Sequence, residues 1–477
     1  MSPERASLAG WRPSPRRWLL AALLVLLLAA AFRLVALPNV PPGLAQDEIL
    51  DADIALFIRR GEHALFFGHG YGHEPLYHYL ATPFAPLLGD NWLAIRLPSA
   101  YLGLLLVALT LRWARSGFGA TAALVAGLGL AVSWWPVIFS RIGIRPVLEP
   151  VLLVAAALCW PLGRETIARR GLLRAGLAGL LLGLAMYSYT AARVAPLLPV
   201  LVALLMAAAA GLARRRGETA ADAARAQVTY AAVVLVVCGL VYLPLGLTLR
   251  AHPELQQRLE QLEGPLDALR AGDAGPVARA TLATLGVFSL RGDPRWTYSP
   301  PGRPLFDPLT ALLFYGGLLL ALWRWRRPGY ALALVWLAVA LLPSSFSPDA
   351  PSTVRLIGAL PVVYLLPGLA VDQIAVWAAM TRRRGGRTAA WALAMLMAAL
   401  LLFNGARTVR DGFVRWPAEL ETRLRYQTAL RDIGRAWATG DGGAPVVAEV
   451  FFEPIDADSL RRVIGRDPAA RWVQTGG

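Results

Sequence analysis

Long apolar blocks separated by short polar segments dominate the hydrophobic pattern of this 477-residue chain. Each block holds roughly 16–22 residues, close to the roughly 20 that an α-helix needs to cross the hydrocarbon core of a bilayer. The pattern predicts about eleven transmembrane helices, at residues 18–37, 92–113, 120–139, 147–163, 172–190, 194–212, 228–249, 306–323, 328–343, 356–377 and 388–406. We therefore expect an all-α polytopic membrane protein.

The composition supports a membrane protein and excludes a soluble multidomain enzyme. Hydrophobic residues make up 56% of the sequence and charged residues only 16%, whereas soluble domains average about 45–50% and about 25%. Both cysteines, Cys159 and Cys238, lie inside apolar blocks, and the sequence has neither a disulfide framework nor zinc-type cysteine spacing. We expect both thiols to be buried packing residues.

The chain contains no lysine, so its 47 basic residues are all arginines, and its formal net charge is +16. A basic chain can bind nucleic acid, but these arginines cluster in short segments between apolar blocks. This clustering is the positive-inside signal of cytoplasmic loops, so it places the N-terminus inside and argues against nucleic acid as a partner. The predicted inside loops carry Arg112 and Arg115, then Arg164, Arg169, Arg170 and Arg174, then Arg214, Arg215 and Arg216, then Arg324, Arg326 and Arg327, and last Arg382, Arg383, Arg384 and Arg387.

The first apolar block follows Arg12, Arg16 and Arg17, an arrangement that also precedes a cleaved signal peptide. The block continues past Arg33 and has no convincing small-residue cleavage site. We therefore expect an uncleaved helix. Arg33 is expected to face the helix bundle or to reach the interface, because a charge that faces lipid is costly.

The outer segments divide the chain into a membrane domain, residues 1–406, and a C-terminal extracytoplasmic segment, residues 407–477. Two outer loops are long, at about 38–91 and about 250–305, which suggests that the chemistry lies on the outer face. The C-terminal segment is polar enough to be soluble, with one predicted helix at Glu419–Ala438 and a strand-like run at Pro445–Phe452.

A helix is predicted early in the first outer loop. Leu50, Ile54, Phe57 and Ile58 recur at the spacing of one helix face, which predicts an amphipathic helix on the membrane surface. Its acidic start, Asp47-Glu48, is expected to face water and any ligand that binds there. A simpler interpretation is that these carboxylates only stabilise the helix N-terminus.

Four histidines, His63, His69, His73 and His78, follow within sixteen residues of the same loop. His73 and Glu74 lie in a glycine-rich stretch that leads into a helix through Pro75. Imidazole and carboxylate groups together can bind a divalent metal ion, so we consider a metal site at His73 and Glu74. The alternative is that these polar side chains are simply solvated.

Several short motifs in this region resemble those of the GT-C fold glycosyltransferases that use lipid-phosphate donors, which include protein O-mannosyltransferases and lipid A aminoarabinose transferases. The resemblance is best over the first 200 residues and does not reach the C-terminal segment. The sequence departs from the family pattern at His73-Glu74, where relatives have other residues before the proline and leucine. The motifs are Asp47-Glu48, His73-Glu74-Pro75-Leu76, Arg96-Leu97-Pro98-Ser99, Tyr187-Ser188-Tyr189-Thr190-Ala191-Ala192-Arg193 and Arg355-Leu356-Ile357-Gly358-Ala359-Leu360-Pro361.

The resemblance implies a GT-C type fold and an inverting transfer of a sugar from a polyprenyl-phosphate donor to an acceptor hydroxyl. It also implies a site on the outer face of a bacterial cytoplasmic membrane. Such a reaction needs a carboxylate that accepts the hydroxyl proton, and Asp47 is the candidate base. Glu48 is then its neighbour, or a contact to acceptor or metal. The acceptor is left open between protein, lipid and glycan.

The leaving phosphate needs cations, a role that suits the bidentate guanidinium group. Five arginines are predicted on the outer side, against the positive-inside trend, and each can alternatively place its charge at the membrane interface. Four aromatic residues are candidates for sugar or acceptor contact, although aromatics also form interfacial belts. The candidate phosphate ligands are Arg96, Arg141, Arg145, Arg193 and Arg355, and the candidate aromatic residues are Tyr77, Tyr189, Trp296 and Tyr298.

Two other functional classes compete with an enzyme. A transporter or flippase for a lipid-linked precursor typically binds near the membrane midplane and often has two related halves. This sequence shows no such repeat, and Arg33 is its only clear mid-helix charge. The third class is an inactive scaffold for envelope assembly, in which Asp47 has no role.

Overall fold

The computed structural model of the chain describes residues 13–163, 166–214, 221–256, 263–380, 386–438, 446–448, 453–465 and 470–473. Six arginines of the predicted inside loops therefore lie outside the described residues, as do parts of the predicted strand at Pro445–Phe452. The six are Arg164, Arg215, Arg216, Arg382, Arg383 and Arg384.

The described chain is helical almost throughout, which confirms the predicted all-α membrane architecture. Its first half contains α1 (Pro15–Leu34), α2 (Gln46–Arg59), α3 (Leu76–Ala81), α4 (Phe84–Leu88), α5 (Trp92–Phe118), α6 (Ala120–Val132), α7 (Trp134–Phe139), α8 (Leu148–Cys159), α9 (Arg169–Ala185), α10 (Leu197–Arg214) and α11 (Ala221–Ala251). Its second half contains α12 (Glu263–Arg270), α13 (Gly275–Gly286), α14 (Pro308–Trp323), α15 (Pro328–Ser345), α16 (Leu360–Met380), α17 (Gly386–Thr408), α18 (Trp416–Ala418), α19 (Leu420–Arg425), α20 (Thr428–Ala438), β1 (Val446–Ala448), α21 (Glu453–Ile464) and β2 (Arg471–Val473).

Every predicted apolar block coincides with a helix or a pair of helices. In the described residues, seven helical stretches are long and apolar enough to cross a membrane, and α6 and α14 are shorter apolar helices. The count of about eleven spans remains a prediction. The stretch that contains α16 is the most enclosed, with 78% of its apolar window buried, so α16 lies at the centre of the bundle.

Glycines allow the bundle helices to pack closely. A Cβ atom at Gly179 of α9 would lie 2.6 Å from the carbonyl oxygen of Val234 in α11, and a Cβ at Gly183 would lie 2.6 Å from Cβ of Val241. Small residues at helix contacts favour association in lipid, where van der Waals packing replaces the hydrophobic effect. Arg33 is buried in the bundle and donates to the carbonyl oxygens of Leu130 and Ala131 at the end of α6, at 3.1 and 3.4 Å.

Helix α2 forms as predicted, but its environment differs from the prediction. Leu50, Ile54 and Ile58 are buried, as the periodicity indicates. Glu48 and Asp51 are also buried, whereas Asp47 is partly exposed. The expectation that the acidic start faces water is therefore wrong for Glu48, because polar partners enclose its carboxylate.

The C-terminal segment is a small unit that packs against the first outer loop. The predicted helix at Glu419–Ala438 is in fact two helices, α19 and α20, which are separated at Gln427 by a left-handed backbone conformation with φ of 47°. Strands β1 and β2 pair in parallel on either side of α21. A Cβ atom at Gly43 would overlap the carbonyl oxygen of Tyr426, so the segment rests directly on the outer loop before α2.

Candidate active site

Glu48 occupies a closed site at the start of α2. Its carboxylate accepts from Nε and Nη2 of Arg96 in α5 at 2.9 and 3.2 Å, and from the backbone amides of Ala45 and Gly143 at 2.9 and 3.1 Å. Nη1 and Nη2 of Arg96 also donate hydrogen bonds to the carbonyl oxygens of Leu37, Pro41 and Gly43. Both predicted site residues are thus buried and bind one another.

Asp47 differs from Glu48 in its exposure and in its partners. Asp47 is only partly buried, and its carboxylate has no hydrogen bond or ion pair within the described part of the chain. Its charge acts on the hydroxyl of Tyr426 in the C-terminal segment. Burial raises the pKa of the Tyr426 hydroxyl well above its usual value, and the charges of Glu48 and Asp47 add to this effect.

The second carboxylate of α2, Asp51, is held by two histidines. Its Oδ1 lies 2.8 Å from Nδ1 of His73 and 2.9 Å from Nε2 of His78, and its Oδ2 accepts from the backbone amide of Arg145 at 3.1 Å. Burial opposes ionisation of Asp51, but the two imidazoles outweigh it and hold the pKa of this carboxyl well below its usual range. Burial and the Arg145 guanidinium lower the pKa of His73 to about 3.

Glu74 forms a second buried cluster beside the first. Its Oε2 pairs with Nε of Arg145 at 3.3 Å, and its Oε1 pairs with Nη2 of Arg193 at 3.1 Å and accepts from Thr190 at 2.7 Å. Although burial alone would raise the pKa of Glu74, the two arginines lower it. Glu74, where the sequence departs from the family pattern, therefore has a structural role. Its carboxylate links the first outer loop to two arginines.

Among the described residues, one group of side chains is close enough to hold a metal ion: Asp51, His73 and His78, whose ligand atoms lie within 4.8 Å of one another. The structure does not combine His73 and Glu74 in one metal site, contrary to the prediction. The Glu74 carboxylate instead pairs with Arg145 and Arg193. The trio also fits a metal poorly. Nη1 of Arg145 lies 2.8 Å from Nδ1 of His73, so a cationic group already occupies one side of the cluster.

The five predicted phosphate ligands fall into two groups. Arg96, Arg145 and Arg141 are buried and bind protein groups. Arg141 donates from Nε and both terminal nitrogens to the carbonyl oxygens of Phe32, Val35 and Val40 at 2.7–2.9 Å.

Arg193 and Arg355 are more accessible. Arg193 shares Glu74 with Arg145, and its Nε has no hydrogen-bond partner within the described part of the chain. Arg355 lies 3.6 Å from Oδ2 of Asp349, a carboxylate that is 50% exposed.

The fourth outer loop contributes a further cation, Arg295, which the sequence did not single out. It pairs with the buried Asp293 at 3.2 Å and lies 3.7 Å from the same Asp349 oxygen that Arg355 approaches. Its side chain is 29% exposed. Arginine in an outer loop, against the positive-inside trend, is the signal that would have identified it.

Three of the four predicted aromatic contacts are buried in the protein. The hydroxyl of Tyr77 bonds to Ser99 at 2.8 Å, the Tyr189 ring lies 5.6 Å from the Arg145 guanidinium, and Tyr298 packs against Phe139 at 4.8 Å. Trp296 is partly buried. Tyr77 and Tyr189 therefore support the two buried clusters.

Tyr426 joins the parts of this region and was also missed by sequence reasoning. Its hydroxyl donates to the carbonyl oxygen of Thr297 at 2.8 Å, and the indole of Trp416 donates to that of Trp296 at 2.7 Å. Through these contacts the C-terminal segment connects the loop that holds Arg295 with the start of α2. Asp47 and the accessible arginines therefore lie on outer segments that are packed together.

The structure is similar to those of two membrane glycosyltransferases. ArnT from Cupriavidus metallidurans bound to undecaprenyl phosphate matches with a TM-score of 0.52 and 15% identity, over 96% of this chain and 85% of that chain. The archaeal oligosaccharyltransferase AglB from Archaeoglobus fulgidus, in complex with an inhibitory peptide and a dolichol-phosphate, matches with a TM-score of 0.52 and 15% identity. That match covers 95% of this chain, which spans 64% of the length of AglB.

These likenesses define the fold as GT-C. In sequence, residues 72–243 match the family model of dolichyl-phosphate-mannose-protein mannosyltransferases, a range that contains His73, Glu74 and Arg193 but not Asp47. No curated protein sequence matches the chain. The chain therefore shares its fold with these two proteins, and residues 72–243 are similar in sequence to the mannosyltransferase family.

Proposed function

We propose that this protein transfers a sugar from a polyprenyl-phosphate donor to an acceptor hydroxyl, at the membrane face that carries the outer loops. The observation that carries the proposal is the contrast at the start of α2. Glu48, Asp51 and Glu74 are all buried and paired, whereas the Asp47 carboxylate is partly exposed and has no partner within the described residues.

Asp47 is the base in this proposal. As the acceptor oxygen forms its bond to C1 of the sugar, the bond between C1 and the phosphate oxygen breaks, and the phosphate leaves with the electron pair. The acceptor hydroxyl gives its proton to Asp47. A single displacement of this kind inverts the configuration at C1, and a positioned carboxylate contributes about 10²- to 10⁴-fold to such a step.

Arg193, Arg295 and Arg355 are the proposed phosphate ligands. Arg295 and Arg355 share one half-exposed carboxylate, Asp349, at 3.7 and 3.6 Å. Pairs this loose and exposed contribute little, so a phosphate can replace Asp349 at small cost. Preorganised cations then stabilise the charge that develops on the leaving group.

Arg96, Arg141 and Arg145 have a structural role in the proposal, and so does Glu48. Each of these arginines already donates to buried protein groups. Their side chains are almost completely buried, so they offer no free N–H group to a phosphate. The side chains of the proposed ligands are 17%, 29% and 15% exposed for Arg193, Arg295 and Arg355. The proposed transfer uses no metal ion, because the Arg145 guanidinium lies against the Asp51–His73–His78 trio.

The orientation in the proposal follows the arginine-rich loops. From them we infer that the N-terminus lies in the cytoplasm and that the active site and the C-terminal segment lie outside. The resemblance in sequence motifs adds that the membrane is a bacterial cytoplasmic membrane. The flippase alternative gains no support, because the mid-helix Arg33 donates to carbonyl oxygens at the end of α6. It is therefore bound in the protein and does not line an open path.

The test is transfer by membranes that contain the Asp47→Asn variant, supplied with a panel of polyprenyl-phosphate-linked sugars, with release of polyprenyl phosphate as the readout. We expect turnover to fall by about 10²- to 10⁴-fold while the melting temperature stays near that of the wild type. Glu62→Gln, an exposed carboxylate in the same loop, is the matched control and should keep full turnover. Undiminished release by Asp47→Asn would contradict the role of Asp47 as base.

A further inference from the structure

A large open cavity lies at the end of the bundle opposite the outer loops. Its volume is about 1290 Å³. The wall is formed by the junction of α5 and α6, the end of α8, the loop between α14 and α15, and the end of α16. Because α5 begins in the outer loop and ends at Phe118 in this wall, the cavity belongs to the arginine-rich side of the membrane.

The wall of this cavity is strongly positive. Five arginines line it, and the only carboxylate among the described residues of the wall is Asp372. Within the described part of the chain, none of these arginines lies within 4.0 Å of a carboxylate oxygen. The five are Arg115, Arg174, Arg324, Arg326 and Arg327.

The contacts that these arginines do make are with neutral groups. Arg115 lies 4.3 Å from the centre of the Trp18 ring, Arg174 donates to the carbonyl oxygen of Leu158 at 2.9 Å, and Arg324 donates to the Tyr330 hydroxyl at 3.0 Å. These contacts fix the direction of three guanidinium groups. Among the described residues of the wall they leave only Asp372, whose charge interacts with Arg324, to offset five positive charges.

Aromatic side chains give the same wall an apolar part. Trp113 and Trp160 are buried in it, whereas Trp323 and Trp377 are 76% and 57% exposed at its rim. Tryptophans of this kind lie at the headgroup level of a membrane. The cavity thus opens where lipid headgroups meet their acyl chains, and it combines anion-binding and apolar surfaces.

We propose that this cavity binds the phosphate headgroup of an anionic phospholipid from the adjoining leaflet, with the acyl chains against the tryptophans of the rim. Basic recesses between transmembrane helices on this side of a membrane favour anionic headgroups. The positive-inside rule alone accounts for arginine in these loops. It does not account for a recess whose described wall combines five arginines with a single carboxylate. The site is separate from the sugar-transfer site and does not depend on the proposed reaction.

The test is a lipid titration of the purified full-length protein by native mass spectrometry, with phosphatidylglycerol compared with phosphatidylcholine. The variant Arg326→Gln/Arg327→Gln removes two exposed charges of the wall, so folding should not be affected. We expect the wild type to prefer phosphatidylglycerol and the variant to bind it roughly 30-fold more weakly. Arg326→Lys/Arg327→Lys keeps the charge and should bind nearly as well as the wild type.

Two exposed arginines at the opposite end, Arg59 and Arg60, provide the control for net charge. The Arg59→Gln/Arg60→Gln variant should bind phosphatidylglycerol like the wild type. The proposal is overturned if the wild type does not discriminate between the two lipids, or if both double glutamine variants lose affinity equally. Competition by glycerol 3-phosphate at equal concentration would instead assign the cavity to a soluble phosphate.

Discussion

At the scale of single residues, adjacent carboxylates in this protein have opposite environments. Glu48 is enclosed and accepts four hydrogen bonds, two of them from Arg96. Asp47 is partly exposed and unpaired within the described residues. A helix turns about 100° per residue, so neighbours point to different sides. Their different environments give them different roles, with Glu48 stabilising the loop and Asp47 open to a ligand.

Glu48→Gln should therefore cost stability. The change removes the negative charge that compensates the buried Arg96 guanidinium, and breaking a buried ion pair at one partner costs about 3–5 kcal/mol. Asp47→Asn should change the free energy of unfolding by less than about 0.5 kcal/mol, as is usual for substitutions at sites without such partners. Thermal unfolding of both variants in the same detergent measures the difference.

The Glu48→Gln/Arg96→Met double variant serves as the control for this pair. It removes both charges, so it should be more stable than Glu48→Gln alone if the ion pair is the cause. Equal stability of Glu48→Gln and the wild type would show that Arg96 is held by its carbonyl partners alone.

At the scale of elements, α2 is held from two sides. From the membrane domain, α5 supplies Arg96, and the segment before α8 supplies Arg145. From the C-terminal segment, α21 supplies Arg462, which is buried and pairs with Asp53 of α2. Ile455 of α21 packs in one apolar cluster with Leu44, Ile49, Leu50 and Ile95. The C-terminal segment is thus part of the support for the loop that carries Asp47.

Arg462→Ala should loosen α2 and lower transfer. It leaves Asp53 without its buried partner, which destabilises this contact by about 3–5 kcal/mol. Hydrogen exchange of the α2 amides should become faster, and turnover should fall because Asp47 is no longer held in position. Arg415→Gln, an exposed arginine in the same segment, is the matched control. Unchanged exchange in α2 would show that the C-terminal segment only rests on the loop.

At the scale of the whole molecule, the two ends of the bundle have different chemistry. One end holds the buried carboxylates of α2, the histidines and the accessible arginines. The other end holds the arginine-lined cavity. Between them, Arg33 is buried and bonded to backbone carbonyls. The two proposed sites therefore lie at opposite ends of the helix bundle.

Cysteine labelling can establish which of these ends faces the cytoplasm. In a Cys159→Ala/Cys238→Ala background, a membrane-impermeant maleimide should label the Glu62→Cys variant in intact cells, because Glu62 is exposed in the first outer loop. The Gly117→Cys variant should be labelled only after the cells are opened. Its position is exposed at the end of α5, with no atom within 4 Å of the added Cβ. The reverse pattern would place the active site in the cytoplasm.

The sequence by itself determined the membrane class, the helix positions and the location of the candidate chemistry in the first outer loop. Those features depend on local patterns, since hydropathy over about 20 residues decides whether a segment crosses a bilayer and short motifs lie within one loop. The loop helix with Leu50, Ile54 and Ile58 was predictable for the same reason.

Only the tertiary structure decided which acidic residues are free and which are bound. Arg96 lies 48 positions from Glu48, Arg145 lies 94 from Asp51, and Arg462 lies 409 from Asp53. Burial and ion pairing depend on contacts between such distant segments, and no local pattern records them. Asp47 and Asp51 lie one helical turn apart on α2, but packing left the first partly exposed and put the second in a buried cluster with two histidines.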